Sequence, residues 1–314
     1  TEIISHRPTR AELEQRVVRY GELRPCHNAF IDTRTPGSEE KENFTIIGPG
    51  VSENPEQHVH ITEPHGFNIG AARQPAHCFN SQHSHNTAEV FVIHSGRWKF
   101  TFGEHGEDAQ IDAEPGDIVS FPTDAFRGFE NVGEAIGFLW SVLGGDDPGR
   151  VLWAPQVFEM AAEYGLILLE NGALVDTTLG QSVPADVAPM PVTSRDAIAK
   201  LRTMRPEDAG EVISRAPGER VTGERLVIGE GGQLPAAEGF TVSRLTLGNN
   251  QESANLAPDH PEVVFVNNGA VEVRTPQGIV SLGKGDTMTV PRKLARVYAA
   301  TTGETELVVV RGTD

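Results

Sequence analysis

Apolar positions along this chain gather in short runs instead of long helical stripes. Glu89-Val90-Phe91-Val92-Ile93 is rich in β-branched and aromatic residues and is closed by Gly96. Glu262-Val263-Val264-Phe265-Val266 repeats that register and is closed by Gly269. Many short strands joined by turns also account for 33 glycines and 21 prolines, which are high counts for a helical protein. An all-β body is the expectation, with a few helices at its periphery. Thr9-Arg10-Ala11-Glu12 is a capping-box sequence that opens a helix through about Tyr20. Ala154-Pro155 starts a second, in which Val157, Phe158, Ala161 and Ala162 form an apolar stripe that stops before Gly165. A third runs from Ser194 through Leu201.

The chemistry concentrates between Gln82 and Gly96. In an extended strand successive side chains point to opposite faces, so His83 and His85 share one face. Glu89 has the same parity, and a brief turn or bulge at Asn86-Thr87-Ala88 returns its carboxylate to that side. Two neutral imidazoles and one carboxylate form the facial set that suits divalent iron, and zinc, manganese, nickel or copper would also accept it. A second His-x-His, His58-Val59-His60, is followed by Pro64, which interrupts any strand. That segment reads as a loop or edge strand with solvated histidines. His94 is opposite in parity to Glu89 and is expected at the surface.

The spacing His83-x-His85-x3-Glu89-x6-Gly96 resembles the first motif of the cupin superfamily. Residues 115–131 resemble the second, matching at Gly116, Pro122 and Asn131. Asp124 stands where the family has glycine, and Arg127 where it has its third metal-binding histidine. The resemblance implies two cupin barrels, of the double-stranded β-helix or jelly-roll type. Gly285 to Pro291 repeats Gly116 to Pro122, as Glu262 to Gly269 repeats Glu89 to Gly96. The expected organisation is an N-terminal extension with a helix over 1–59, a metal-binding barrel over 60–145, a partly helical connector over 146–215 and a degenerate barrel over 216–314. Anchored on Glu262, the counterparts of His83, His85 and Arg127 are Leu256, Pro258 and Arg296, so the second barrel lacks a ligand set. His260 lies nearby but out of register.

A metal held by His83, His85 and Glu89 would sit in an apolar funnel lined by Phe91 and Ile93, with Trp98, Phe121 and Phe129 close enough to contribute. Arginine stays protonated and cannot ligate, and burying it beside a divalent ion costs several kcal/mol unless an anion intervenes. Arg127 therefore either pairs with Glu130 or another carboxylate, or orients an anionic substrate group through a bidentate contact. Without a third histidine the site uses three ligands or recruits a fourth, for which His77 is nearest. The resemblance extends to ring-cleaving dioxygenases of the gentisate, homogentisate and quercetin type. It implies an iron(II) enzyme that uses dioxygen on a small aromatic or enolic substrate, with Arg127 orienting the substrate anion. Two alternatives stand beside it: an isomerase, lyase or decarboxylase using zinc, manganese or nickel, and a non-catalytic small-molecule binding protein.

A net charge of −18 argues against nucleic acid or anionic membrane as a partner. No apolar run is long enough to cross a bilayer, and Thr1-Glu2-Ile3-Ile4 shows no signal pattern. Two cysteines, Cys26 and Cys78, read as reduced thiols in a cytoplasmic protein. Edge strands of the kind this family pairs between subunits lead to the expectation of a homo-oligomer.

Overall fold

Strands dominate and helices stay short in the computed structural model, which describes residues 7–219 and 221–313. The capping box forms: Glu12 N donates to Thr9 Oγ1 at 3.2 Å and Thr9 N to Glu12 Oε2 at 2.6 Å. The helix it opens covers only Arg10–Glu14, because the β-branched pair Val17–Val18 leaves the helix to join strand Thr287–Val290. Helices Pro155–Glu163 and Arg195–Ala199 form where the pattern places them, the first burying Val157 and Ala161.

The chain divides into two compact units, 24–216 and 7–23 with 217–313. This differs from the linear division read from the sequence. Segment 24–61 supplies strands Glu42–Ile47 and Val59–Ile61 to the first barrel, and the stretch read as a connector supplies Leu152–Trp153 and Ile213–Ser214. Three of these, Val59–Ile61, Leu152–Trp153 and Ile213–Ser214, are the outermost strands of their sheets, and short strands of this kind blunt exposed sheet edges.

In the first barrel a seven-stranded sheet runs Ile213–Ser214, Ile118–Phe121, Glu89–Ser95, Gly137–Gly144, Phe67–Gln74, Glu42–Ile47, Val59–Ile61. A five-stranded sheet runs Leu152–Trp153, Phe79–Ser84, Arg127–Asn131, Trp98–Phe102, Ala109–Ala113. The register of the larger sheet sets residues of one parity in rows: Glu89, Leu143 and Asn68; Phe91, Ser141, Gly70 and Thr45; Ile93, Leu139, Ala72 and Asn43. Between the sheets Phe91, Phe100, Phe121 and Phe129 pack with ring centroids 5.1–5.9 Å apart, and each buried ring contributes about 1.5–3 kcal/mol.

The second barrel pairs Val17–Val18, Thr287–Val290, Glu262–Asn268, Glu304–Gly312, Phe240–Gly248 and Gly223–Ile228 in one sheet and Gly278–Gly283, Ala270–Thr275 and Val297–Ala300 in another. Its register reproduces the first. Glu89 faces Phe121 as Glu262 faces Val290. Asp124 and Lys293 both take left-handed backbone, φ 56° and 58°, at the position where the cupin motif has glycine. Their N–H groups donate to the carbonyls of His85 and Pro258, at 2.8 and 2.7 Å. Among the described residues no helix is long and apolar enough to cross a membrane.

Candidate metal centre

His83 lies on strand Phe79–Ser84 of the five-stranded sheet, and Glu89 opens strand Glu89–Ser95 of the other. The turn at 86–88 thus carries the chain from one sheet to the other instead of pausing within a single strand. The result still brings the three side chains together. His83, His85 and Glu89 are buried and each offers one ligand atom, all within 4.8 Å of one another. His83 Nδ1 lies 2.7 Å from the Ser81 carbonyl. A carbonyl only accepts, so Nδ1 carries the hydrogen and Nε2 keeps its lone pair for a metal. The Ser81 N–H in turn donates to Asp32 Oδ2 at 3.0 Å, and Asp32 is paired with Lys41 in full burial. Burial, with His85 and Arg127 adding to it, pushes His83 down to about 3. Burial and then Arg127 hold His85 well below its usual range. Both imidazoles are therefore neutral near neutral pH, the form that ligates.

Arg127 is wholly buried and is the backbone partner of His83. Its Nε and Nη2 donate to Glu89 Oε2 at 3.0 and 2.7 Å, and Nη1 donates to the Ala125 carbonyl at 3.1 Å. Of the two resolutions open for this arginine, pairing with a carboxylate is the one observed, and the partner is Glu89, not Glu130. Each of the three guanidinium nitrogens is bonded within the protein, which favours the carboxylate pairing over orientation of a substrate anion.

The second barrel is an internal control. Leu256 pairs with Arg296 there as His83 pairs with Arg127. Arg296 donates to both oxygens of Glu262, at 2.5 and 2.7 Å. Tyr298 Oη adds a bond to Oε1 at 2.5 Å and Arg311 Nε one to Oε2 at 2.6 Å. Burial alone would raise the Glu262 carboxyl, but Arg296 and Arg311 outweigh it and hold it below the usual carboxylate range. In the first barrel the counterparts of Tyr298 and Arg311 are Phe129 and Leu143, which donate nothing. Glu89 Oε1 consequently accepts no hydrogen bond among the described residues, and His85 Nε2 stands 3.6 Å from it, too far for one. His85 Nδ1 is also buried without a partner. Ligand atoms cis on a metal with 2.1 Å bonds stand about 3 Å apart, so a divalent ion fits once this pair closes by about 0.6 Å.

A cavity of about 80 Å³ opens from the three ligands, walled by Phe91, Phe129, Phe30 and Trp153. Ile93, Trp98 and Phe121, expected in its lining, belong instead to the packed core. Phe30 and Trp153 come from segments that carried no signal, and only the pairing of Trp153 with His83 brings it in. His77 stays outside the centre: it is 69% exposed, with Nδ1 3.9 Å from Glu130. His94 is buried, its ring 5.7 Å from Phe138, since this strand is covered on both faces. His60, on the edge strand Val59–Ile61, is bonded and not merely solvated: Nδ1 donates to the Thr45 carbonyl at 2.8 Å and Nε2 accepts from Arg24 N at 3.1 Å. His260 joins no ligand group among the described residues.

Residues 72–142 match the Cupin_2 family, described as a cupin domain, and the second barrel repeats its register. The chain carries a cupin domain, and its two-barrel fold is that of a bicupin. Among solved structures the bicupin is similar to a Lactobacillus farciminis oxalate decarboxylase formate complex at 11% identity and TM-score 0.57, covering 94% of this chain and 85% of that one. It is similar to the Escherichia coli pirin YhhW in complex with nickel(II), at 11% identity and TM-score 0.55 over 94% and 97% of the two chains. A mutant of salicylate 1,2-dioxygenase from Pseudoaminobacter salicylatoxidans follows, at 14% identity and TM-score 0.54 over 94% and 83%. At these identities the likeness of the bicupin to each is one of fold. No curated protein sequence matches the bicupin.

Proposed function

We propose that this bicupin is a metal-dependent enzyme of the first barrel, and that it is a non-haem iron(II) dioxygenase acting on a small aromatic or enolic oxygenated substrate. The observation that carries the reading is the contrast between the two glutamates: Glu262 is saturated by protein donors, whereas Glu89 keeps Oε1 toward two neutral histidines. A divalent iron bound there would relay electron density between a coordinated substrate and dioxygen. The chain's own residues do the rest. Ser81 fixes His83 in its ligating tautomer, Arg127 holds Glu89 by its other oxygen, and Phe91, Phe129 and Trp153 shield the site from bulk water. That a solved relative in fold is a salicylate dioxygenase supports this by analogy only.

The test is anaerobic loading with iron(II) followed by oxygen uptake with catechols, gentisates, hydroquinones and β-diketones. One metal per chain and uptake lost in His83→Ala are expected; a loaded protein that consumes no oxygen with any of them would refute the dioxygenase. One observation favours a second reading. Arg127 cancels the charge of Glu89, leaving a bound ion its full double charge, which suits a Lewis-acid isomerase, lyase or decarboxylase. Copurifying iron supports the first reading, and zinc, manganese or nickel the second.

A further inference from the structure

Lys41 is the one lysine in an ion pair among the described residues, and it sits out of reach of water. Lys41 and its partner Asp32 are both 0% exposed. Lys41 Nζ donates to Asp32 Oδ1, the single hydrogen-bond acceptor it has among the described residues. An ammonium carries three hydrogens, so two are left without an acceptor, and its other neighbour is the ring of Phe30, with the centroid 5.9 Å from Nζ. A buried ion pair offsets its desolvation only where further hydrogen bonds satisfy the remaining protons, a condition this pair does not meet.

An arginine in this position would stay charged, but an ammonium can give up a proton and become a nucleophile. Transfer of one proton from Nζ to Asp32 removes both charges and leaves an amine against a carboxylic acid. The fold supplies what their condensation needs. Groups held in contact in this way react with effective concentrations that reach about 10⁵–10⁸ M. The Ser81 N–H donates to the other oxygen, Oδ2, at 3.0 Å, and stands where negative charge develops as nitrogen adds to the carboxyl carbon. Burial lifts Glu53 to about 8, so it carries a proton at neutral pH, and its Oε1 accepts from the N–H of Ile31, the residue before Asp32. Phe30 and Trp153 connect the two groups: their rings are 6.0 Å apart, and Trp153 Nε1 donates to Glu53 Oε2. Exclusion of water protects an amide formed here from hydrolysis.

We propose that Asp32 and Lys41 close an isopeptide cross-link, a side-chain amide that forms in the folded protein without an added enzyme or cofactor. Nζ bonds to the Asp32 carboxyl carbon and the bond from that carbon to Oδ1 breaks. Oδ1 leaves as water, carrying the proton transferred within the pair and a second one from the amine, passed on by Glu53. One hydrogen stays on the nitrogen. Nothing is oxidised or reduced, and no co-reactant is consumed. Oδ2 becomes the amide oxygen and keeps the Ser81 N–H, so the support of His83 through the Ser81 carbonyl is preserved. The ion pair is the arrangement from which closure starts, and the cross-link does not depend on a metal in the first barrel.

The intact mass of the purified full chain, unfolded and freed of metal by a chelator, decides the matter. A mass below that of the sequence by one water, about 18 Da, is expected for most molecules. Tryptic digestion locates the loss. The chain should stay uncut after Lys41, and the two peptides separated by the cut after Arg34 should remain joined through residues 32 and 41. Lys41→Arg, which has no amine to acylate, should show the full mass of its own sequence. The full sequence mass for the unaltered protein, with cleavage after Lys41, would overturn the proposal, and so would a water lost at any other position.

Discussion

Removing the guanidinium of Arg127 tests whether the two barrels use the same ion pair to different ends. In Arg127→Met, without metal, Glu89 keeps its burial and loses both donors to Oε2. A buried charge left without its partner costs about 3–5 kcal/mol. For a unit of this size that lowers the melting temperature by about 6–20 °C. Zinc at 100 times its Kd stabilises the folded state by about 2.7 kcal/mol, and the freed carboxylate should also bind it more tightly than in the unaltered protein. Arg296→Met is the matched control. There Glu262 keeps Tyr298 and Arg311, so the loss should be smaller and zinc should recover none of it. Calorimetric melting of the two variants, after chelator treatment and again with zinc, decides the matter. Equal destabilisation of both variants, or an equal zinc response, would refute the reasoning that Glu89 is poised for metal and Glu262 is not.

Four further outcomes follow from the same geometry. Alanine at His83 or His85 should abolish zinc binding in equilibrium dialysis, and zinc retained at one per chain would remove these residues from the centre. Leu143→Arg introduces at Glu89 the second guanidinium that Arg311 supplies to Glu262, so a folded variant that no longer takes up zinc is expected, and unchanged uptake would show that Oε1 is not the metal's. Asp32→Asn leaves Lys41 buried without its counter-charge, costing about 3–5 kcal/mol, and weakens the hold on Ser81. It should lower zinc affinity by about tenfold or more through His83, which titration of the folded variant would read. Burial lifts Glu53 to about 8, against the donors Trp153 Nε1 and Ile31 N. Its folded pKa is raised, so the stability it contributes is fully present below about pH 4.5 and is lost as the pH rises toward 8, at a slope approaching about 1.4 kcal/mol per pH unit. Denaturation midpoints across that window should flatten in Glu53→Gln, and an unchanged slope would assign it to other groups.

Much of the architecture was legible because it rests on short-range pattern. The β-rich runs, the motif glycines and the repeat of Glu89 in Glu262 all follow from residues within a few positions of one another, and the structure keeps even the pairing of the residues aligned across the repeat. The two histidines and the glutamate were legible for the same reason. What escaped was decided by pairing across distance. Trp153 reaches the cavity only because the chain returns 70 residues after His83 to pair with it, and Phe30 comes from a segment preceding the strand Glu42–Ile47. The burial of His94 depends on what covers the second face of its strand, which parity alone does not specify. Val17 and Val18 ended a helix that its capping box had started, since pairing with Met288 and Thr287 outweighs local propensity.

The arginine at the third-histidine position carries the most consequence. By sequence alone it reads as loss of a ligand, and as a residue that either pairs with a carboxylate or orients an anion. Its twin in the second barrel makes a different argument. Arg127 and Arg296 occupy one register position and grip one glutamate each, so the pair belongs to the barrel itself and precedes any choice about metal. What differs is the rest of the carboxylate's surroundings. Tyrosine and arginine complete it in the second barrel, while phenylalanine, leucine and two neutral histidines leave one oxygen open in the first. Whether such a barrel holds a metal therefore turns less on the missing histidine than on which side chains face the glutamate's second oxygen, and that criterion needs the pairing register as well as the motif.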